Sequence, residues 1–442
     1  MTAAPAGAGR GRLAALSRAL PVERGEGAAV LWACSYFFCL LAGYYVIRPL
    51  RDEMGVASGG LTWLYMGTLA GTLLANPLFG ALVSRYPRRT FIPVVYRFFT
   101  INLLLFYLLL GVLPGSGRAW AGRVFFVWTS VFNMFAVAVM WGFMADLFRS
   151  GQAKRLFGLI GVGGTLGAIV GGSITVMLAP VLGPLHLLPI AALLIEASVF
   201  SVRRLARLFH VDETAQRAAG EGRPPGHGAL HGMAVVARSP YLLGICLFLL
   251  LYTISSTFLY FEQARIVGSS FADSAQRVAF FARIDVLVNL VTIVLQTVLT
   301  GRLVPAIGVG ATLAILPLVT LGGLGALGIA AVPGTIMAVQ VTRRAAEYAL
   351  IRPAREVLYT VVPREQKYSS KSFIDTFVYR GGDAIGAWTD KLLGLLGLGA
   401  AALAALFVPL TAAWVAVALL LGRRQGALAR AAADSRSENA RV

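Results

Sequence analysis

Charge is scarce in this sequence, and negative charge is scarcer still. Only 13% of the residues are Asp, Glu, Lys or Arg, while 57% are hydrophobic and the mean hydropathy is +0.75. So little polar surface cannot coat a water-soluble globule of 442 residues, which excludes that class and places the chain in a bilayer. There are three cysteines, Cys34, Cys39 and Cys246, all inside apolar runs, where they read as small hydrophobes rather than a disulfide framework. Histidine is limited to four residues. His227 and His231 have the spacing of two ligands on one helix face, but the Gly and Pro beside them oppose a helix and no Cys or further His joins them. No metal and no cofactor is therefore expected. A Walker motif, a nucleophile elbow, a zinc helix motif and paired catalytic carboxylates are all missing, which argues against ATP-driven pumping and against an enzyme. Membrane-barrel strands would alternate in short segments, and that pattern is absent too. The first 26 residues are rich in Ala, Gly and Arg without an apolar core and cleavage site, so removal of a signal peptide is not expected.

What the chain does contain is apolar runs of spanning length, about twelve of them, each near the 20 residues that cross a hydrocarbon layer. They fall at 28–47, 61–83, 91–113, 124–146, 156–178, 185–202, 241–261, 278–300, 308–330, 333–353, 371–395 and 401–421. Landmarks of the first six return in the second six. Arg265 and Arg302 stand 217 residues after Arg48 and Arg85, and Lys154 with Gly163 and Gly164 is echoed by Lys371 with Gly381 and Gly382. Parallel duplication of six-helix halves is a known transporter construction. The expectation is an all-α integral membrane protein of two six-helix pseudo-repeat bundles: a leading segment 1–27, bundles 28–202 and 241–421, an interlobe linker 203–240 and a tail 422–442. Arg223-Pro224-Pro225-Gly226 marks the linker as flexible.

The 39 Lys and Arg against 20 Asp and Glu give a net charge of +19, which in a soluble protein would point to nucleic acid. Their distribution points elsewhere. About 27 lie in one set of loops and termini, about seven in the alternate set and about five within spans, the positive-inside asymmetry that puts both termini in the cytoplasm of a bacterial-type inner membrane. Runs such as Arg203, Arg204, Arg207 and Arg423, Arg424 read as topology signals and anionic-lipid contacts, with no nucleic-acid partner, since aromatic interleaving is lacking. Span 5 carries Gly163, Gly167 and Gly171 on one stripe and Gly164, Ala168 and Gly172 beside it, and span 2 repeats the device with Gly67, Gly71 and Ala75, both fitted to close helix packing.

Three segments carry a resemblance. Gly80-Ala81-Leu82-Val83-Ser84-Arg85-Tyr86-Pro87-Arg88-Arg89 resembles the loop signature of the major facilitator superfamily, with Ser84 in place of its acidic residue. Tyr44-Tyr45-Val46-Ile47-Arg48-Pro49-Leu50-Arg51-Asp52-Glu53 is similar to the first-span motif of the ATP:ADP antiporter (nucleotide transporter) family. Met140-Trp141-Gly142-Phe143-Met144-Ala145-Asp146 with Ala153-Lys154-Arg155-Leu156-Phe157-Gly158 resembles that family's span 4 and span 5 patterns. So do Glu356, Tyr359, Pro363, Glu365, Lys367, Lys371, Ile374, Asp375, Arg380 and Gly381 further on. The likeness covers about residues 30–395 and implies a two-lobed carrier whose loop residues Arg85, Arg88, Arg89, Lys154 and Arg155 act as a latch or gate. Departures from the pattern bear on the solute: Arg51 and Asp383 stand where the family has lysine, and span 4 offers Thr129 and Asn133 in place of an acidic residue.

Charges within spans are expensive and normally meet a partner or a wet cavity. Arg97, Arg283, Asp285, Arg343, Arg344, Glu347, Arg380 and Asp383 are of this kind. Asp285, Asn289, Thr292 and Gln296 share one face of span 8, as if lining a cavity. Glu347, three and four residues beyond the two arginines of span 10, is placed to pair with one and leave the other for an anionic solute, or both close salt bridges with Asp285 or Asp383. At the extracytoplasmic end of span 1, Arg48 and Arg51 with Asp52 and Glu53 suit a solute funnel or a gate network, or simply snorkel to the interface. Candidate solute-binding residues are thus Arg48, Arg51, Asn133, Arg283, Asp285, Asn289, Arg343, Arg344, Glu347, Arg380 and Asp383. The expected function is alternating-access secondary transport of a small anionic or phosphorylated solute, by resemblance a nucleotide in ATP/ADP-type exchange, by a monomer in the lipid bilayer. The alternatives are a proton-coupled carrier of a non-nucleotide solute and a non-transporting sensor or scaffold.

Overall fold

A computed structural model describes residues 22–23, 25–86, 88–148, 150–208, 229–397 and 400–439, and all their regular structure is helical. In the first half the helices are α1 (Gly27–Ser58), α2 (Leu61–Arg85), α3 (Arg88–Val112), α4 (Gly115–Leu147), α5 (Ser150–Leu182) and α6 (Leu187–Leu208). The second half has a short α7 (Ala229–Ala237), then α8 (Pro240–Ser270), α9 (Ser274–Leu295), α10 (Gly301–Ile329), α11 (Pro333–Ala346), α12 (Arg352–Leu358), α13 (Arg364–Phe373), α14 (Tyr379–Leu395) and α15 (Ala400–Asn439). π-turns at Gln296–Thr300, Glu347–Ile351 and Ile374–Val378 join α9 to α10, α11 to α12 and α13 to α14. Each of the twelve expected spans is met by a helix or by such a joined pair. The helices alternate between a near end, where α1 begins, and a far end, where α1 finishes.

Local sequence sets the boundaries. Asp273 accepts the amides of Ala275 and Gln276 to start α9, and Ser239 accepts that of Leu242 ahead of Pro240 to start α8. At Gly308 φ is +81°, a conformation open to glycine, and it breaks the helical run so that the next crossing begins at Val309. Among the described residues eight stretches are long and apolar enough to cross a membrane, one of them, Ser274–Ile329, holding the crossings on both sides of this break. The helices from Pro333 to Leu395 are not among them, because they carry the buried charges. The expected tail at 422–442 lies partly within α15, which continues to Asn439, and α6 runs past 202 to Leu208. Residues 1–21 of the leading segment, and 209–228 of the linker with His227, lie outside the described residues.

Packing within each half explains the glycines. Gly163, Gly167 and Gly171 lie on the Cys34, Phe38 and Ala42 backbone of α1, so close that a Cβ at any of them would overlap it. On α14, Gly382 meets Thr253, and Gly386 meets Ile254 and Thr257, on α8. These two glycines stand 215 residues after Gly167 and Gly171, and Thr253 and Thr257 stand 215 after Phe38 and Ala42. One helix pair is thus built twice. The register differs both from the 217 of the Arg and Lys landmarks and from the 218 that matches Gly163 and Gly164 with Gly381 and Gly382. Gly381 meets nothing within 4 Å, because backbone approach rather than glycine spacing selects the pair. Gly172 reaches across the halves to Val286 of α9, while Gly67 and Gly71 of α2 pack on Val127 and Val131 of α4. Apolar cores form separately: one from residues 29–206 with Val278, one from 236–421, and a third from α8, α9, α10 and α11.

Gly171→Leu should force α1 and α5 apart and cost about 1–3 kcal/mol or more. Gly161→Ala, which meets nothing within 4 Å, should leave stability near wild type. Thermal unfolding of the detergent-solubilised variants checks the contrast.

Candidate functional site

A cavity of about 190 Å³ lies between the halves at mid-depth. The first half contributes Arg48, Arg51 and Asp52 from α1, on one face at spacings of three and four, with Tyr65 and Thr68 from α2. Facing them on α8 are Tyr252, Ser256, Thr257, Tyr260 and Gln263. The segment from α11 through its π-turn to α12 adds Gln340, Arg343, Arg344, Glu347, Tyr348 and Arg352, and α14 adds Tyr379, Arg380 and Asp383. Six arginines, three carboxylates and five tyrosines therefore share one small space. Two of the π-turns flank it, one carrying Glu347 and Tyr348 and the other ending at Tyr379, as such bulges often do at functional sites.

The charges fall into distinct sets. Asp285 of α9, 1% exposed and just behind the wall, receives Arg48 at 3.2 Å and Arg344 at 2.7 Å on the same oxygen. One carboxylate so ties α1 to the second half. Asp52 takes the Tyr260 hydroxyl at 3.0 Å and Arg51 at 3.4 Å, while Arg51 also lies 4.2 Å over the ring of Phe126. Glu347 receives Arg352 at 2.9 Å. Asp383 receives Thr257 at 3.1 Å and Arg380 at 3.2 Å. Arg343 differs from all of these. It is 1% exposed, gives one nitrogen to the Ser256 hydroxyl at 3.3 Å, lies over the Tyr252 ring, and has Nε and Nη2 without a hydrogen-bond partner. No carboxylate among the described residues makes a salt bridge with it.

The far end of the cavity is closed by contacts between the halves. Arg277 of α9 meets Glu53 of α1 at 2.8 Å, and Thr62 donates to the Ala387 carbonyl at 3.4 Å. Trp63 and Trp388 stack edge to face at 5.6 Å with the Lys391 ammonium over both rings. Toward the near end, Arg352 lines the cavity with 54% of its side chain exposed, which marks that side as the mouth.

Of the residues expected from sequence, Arg48, Arg51, Arg343, Arg344, Glu347, Arg380 and Asp383 line the cavity, and Asp285 braces it from behind. Asn289 stands one turn further back, donating to the Asp285 carbonyl at 2.8 Å. Thr292 is buried and Gln296 is exposed, so the polar face of span 8 braces the wall rather than lining the cavity. Asn133 is half-buried on α4 away from the cavity, and Arg283 is exposed on α9. Arg97 pairs with Glu196 at 2.8 Å on the outer side of α3 and α6. The expected pairing of Glu347 with an arginine of α11 is replaced by Arg352, because the π-turn brings position 352 round to it. Asp52, expected beside Arg48 and Arg51 at the end of span 1, lines the cavity with them, whereas Arg352 and the five tyrosines carried no such expectation. Tyr252, Ser256 and Tyr260 recur at steps of four on an apolar span, which was their available signal.

Among the loop residues, Arg155 binds Glu23 at 3.0 Å and Glu26 at 3.1 Å, fastening the start of the chain to α5. Bonds from the Glu23 backbone amide and then from Gln152 hold the Glu26 carboxyl below its ordinary value. Arg85 is exposed, and the side chains of Arg88, Arg89 and Lys154 lie outside the described ones. In the second half Lys371 binds Glu356 at 2.6 Å and Arg355 reaches Asp375 at 3.8 Å, so the motif residues Glu356, Lys371 and Asp375, with Arg355, join α12 to α13 and its π-turn at the near end.

Comparison with known structures places this architecture. A mutant of the nucleoside transporter NupG superposes with a TM-score of 0.61 over 90% of this chain and 99% of that one, at 13% identity. A bacterial homologue of the iron transporter ferroportin, in an inward-facing state, gives 0.60 over 90% and 98%, at 15% identity. The chain has the all-helical fold that these multi-pass membrane transporters share. In sequence it is similar to ADP,ATP carrier protein 1 of Chlamydia pneumoniae, 21% identical over 91% of this chain and 92% of that one. It is also similar to ADP,ATP carrier protein 3 of Rickettsia felis, 20% identical over 35% of this chain and 37% of that one. No protein-family model matches the chain. These relatives and neighbours are transporters and not enzymes, in line with the motif resemblance.

Glu53→Gln would leave the half-buried Arg277 beside a neutral, fully buried partner at the far-end closure. The expected cost is about 3 kcal/mol, read as a lowered melting temperature, with Glu262→Gln on the exposed Arg265 pair changing little.

Proposed function

We propose that this protein is a secondary transporter that exchanges a phosphorylated anion of the nucleotide class across a bacterial-type inner membrane, the near end facing the cytoplasm. The observation that carries this reading is Arg343. A guanidinium this deeply buried, with two nitrogens unbonded and no carboxylate on it, is a donor fork awaiting an anion, and phosphate matches its geometry. The similarity to ADP,ATP carriers supports a nucleotide, and the tyrosines give a base or sugar flat surfaces to lie on.

In this reading residues 28–202 and 241–421 are the two lobes of a monomer, with 203–240 the linker between them. Solute enters from the cytoplasmic mouth and binds Arg343 on the second lobe while reaching Arg48 on the first. A bound anion thereby draws the lobes together at the near end, and the far-end contacts from Glu53 to Lys391 give way. An exchanger needs this transition to be slow when the cavity is empty. The bonds of Asp285 to Arg48 and Arg344 supply that resistance. Coupling to protons is the second reading, since Glu347 and Asp383 sit in the cavity wall.

Proteoliposomes preloaded with unlabelled nucleotide should take up labelled nucleotide, and empty ones should not. Arg343→Ala should weaken solute binding by about 2–4 kcal/mol, roughly 30- to 700-fold, and abolish exchange. Uptake driven by a proton gradient without preloading would favour the second reading, and exchange unaffected by Arg343→Ala would overturn the site.

A further inference from the structure

The charges of the cavity do not cancel, and the way they pair says by how much. Arg51 is matched by Asp52, Arg352 by Glu347 and Arg380 by Asp383. Arg48 and Arg344 share the single carboxylate of Asp285. Arg343 has none. Two guanidinium charges are therefore uncompensated among the described residues around the cavity. Within a membrane-embedded protein such an excess is costly, and so is the opposite excess left by a ligand carrying too much negative charge. From this count we infer that the site selects a dianion, a nucleoside monophosphate or comparable phosphate monoester, over the more highly charged di- and triphosphates. The inference rests on the anion-exchange reading of the same cavity and narrows it.

A phosphate monoester above its second ionisation carries close to two negative charges, and each further phosphoryl group adds another. One such group can lie between Arg343 and the Arg48 and Arg344 pair, neutralising the excess without breaking an existing ion pair. A triphosphate has to open the Arg51, Arg352 or Arg380 pairs to find cations, which frees a buried carboxylate for each one opened. The volume of about 190 Å³ acts in the same direction, since it lies below the roughly 300 Å³ at which small-molecule sites usually begin. Asp383, paired with Arg380 in the cavity wall, lowers the charge of the site and so contributes directly to this selection.

The test is equilibrium binding of adenosine, AMP, ADP and ATP to the purified full chain at pH 8 with EDTA, because a divalent cation would reduce the charge of the polyphosphates. AMP is expected to bind at least about tenfold more tightly than ADP, with ATP weaker again and adenosine weakest. Asp383→Asn and, separately, Glu347→Gln each leave a third guanidinium uncompensated and should move the AMP-to-ADP ratio toward ADP by about tenfold. The wild-type ranking stands whether or not either variant folds. ADP or ATP binding as tightly as AMP, or ratios unmoved in folded variants, would overturn the charge match while leaving anion exchange in place. Failure of all three nucleotides to bind would overturn both.

Discussion

Asp285 is the contact on which the arrangement of the cavity depends. Its carboxylate is almost wholly buried and receives guanidinium groups from both halves of the chain, Arg48 from α1 and Arg344 from α11. Neither arginine would be tolerated at this depth alone, and two arginines would repel each other without the charge between them. The same carboxylate sets the distance between α1 and the second half, and hence the width of the cavity they enclose. Asn289, bonded to its backbone, holds the helix turn behind it. Arg343 lies one position from Arg344 yet escapes this network, because successive residues on a helix point about a hundred degrees apart. One arginine therefore acts as structure and its neighbour is left for a solute.

Around that centre the scaffold obeys a simpler rule. In lipid there is little hydrophobic drive to bring helices together, so close approach of backbones has to supply it. Gly167 and Gly171 against α1, and Gly382 and Gly386 against α8, are one solution used in both halves. These packed pairs are rigid, which leaves motion between halves to the weaker surfaces: the contact of Gly172 with Val286, the Trp63, Trp388 and Lys391 cluster, and the pair of Glu53 with Arg277. The π-turns lie only in the second half among the described residues, and two of them bound the cavity. The cavity wall is correspondingly uneven, with most of its ionisable and aromatic groups on the second half.

Much of this was legible in the residues themselves. Apolar runs near twenty residues long gave the helices, since backbone polar groups in lipid have to be satisfied within each segment. Intramembrane charge marked Asp285, Arg343, Arg344, Glu347, Arg380 and Asp383, because such residues persist only where something faces them, and the charged end of span 1 marked Arg48 and Arg51. The same rule overreached with Arg283 and Arg97. It detects a charge within a span but not the side of the helix on which neighbours lie, and both of these sit on outward sides. Tyrosine went unmarked for the opposite reason: an aromatic ring in an apolar span is ordinary until its hydroxyl is seen to meet a carboxylate, as Tyr260 does with Asp52.

The amino-acid order by itself determined the all-helical membrane-spanning class, the recurrence of landmarks between the two halves and the basic character of the interior, because these follow from hydropathy and charge read along one dimension. It could not determine who pairs with whom. Arg344 and Asp285 are 59 positions apart, and Arg277 and Glu53 are 224 apart. Helix rotation and the π-turns decide such meetings. Tertiary structure alone assigned Glu347 to Arg352, gave Asp285 two arginines, left Arg343 without a carboxylate, and moved the register of the repeat to 215. The physical reason is that a charge pair is made by distance in space, and in a bundle of helices that distance is set by packed backbones rather than by spacing along the chain.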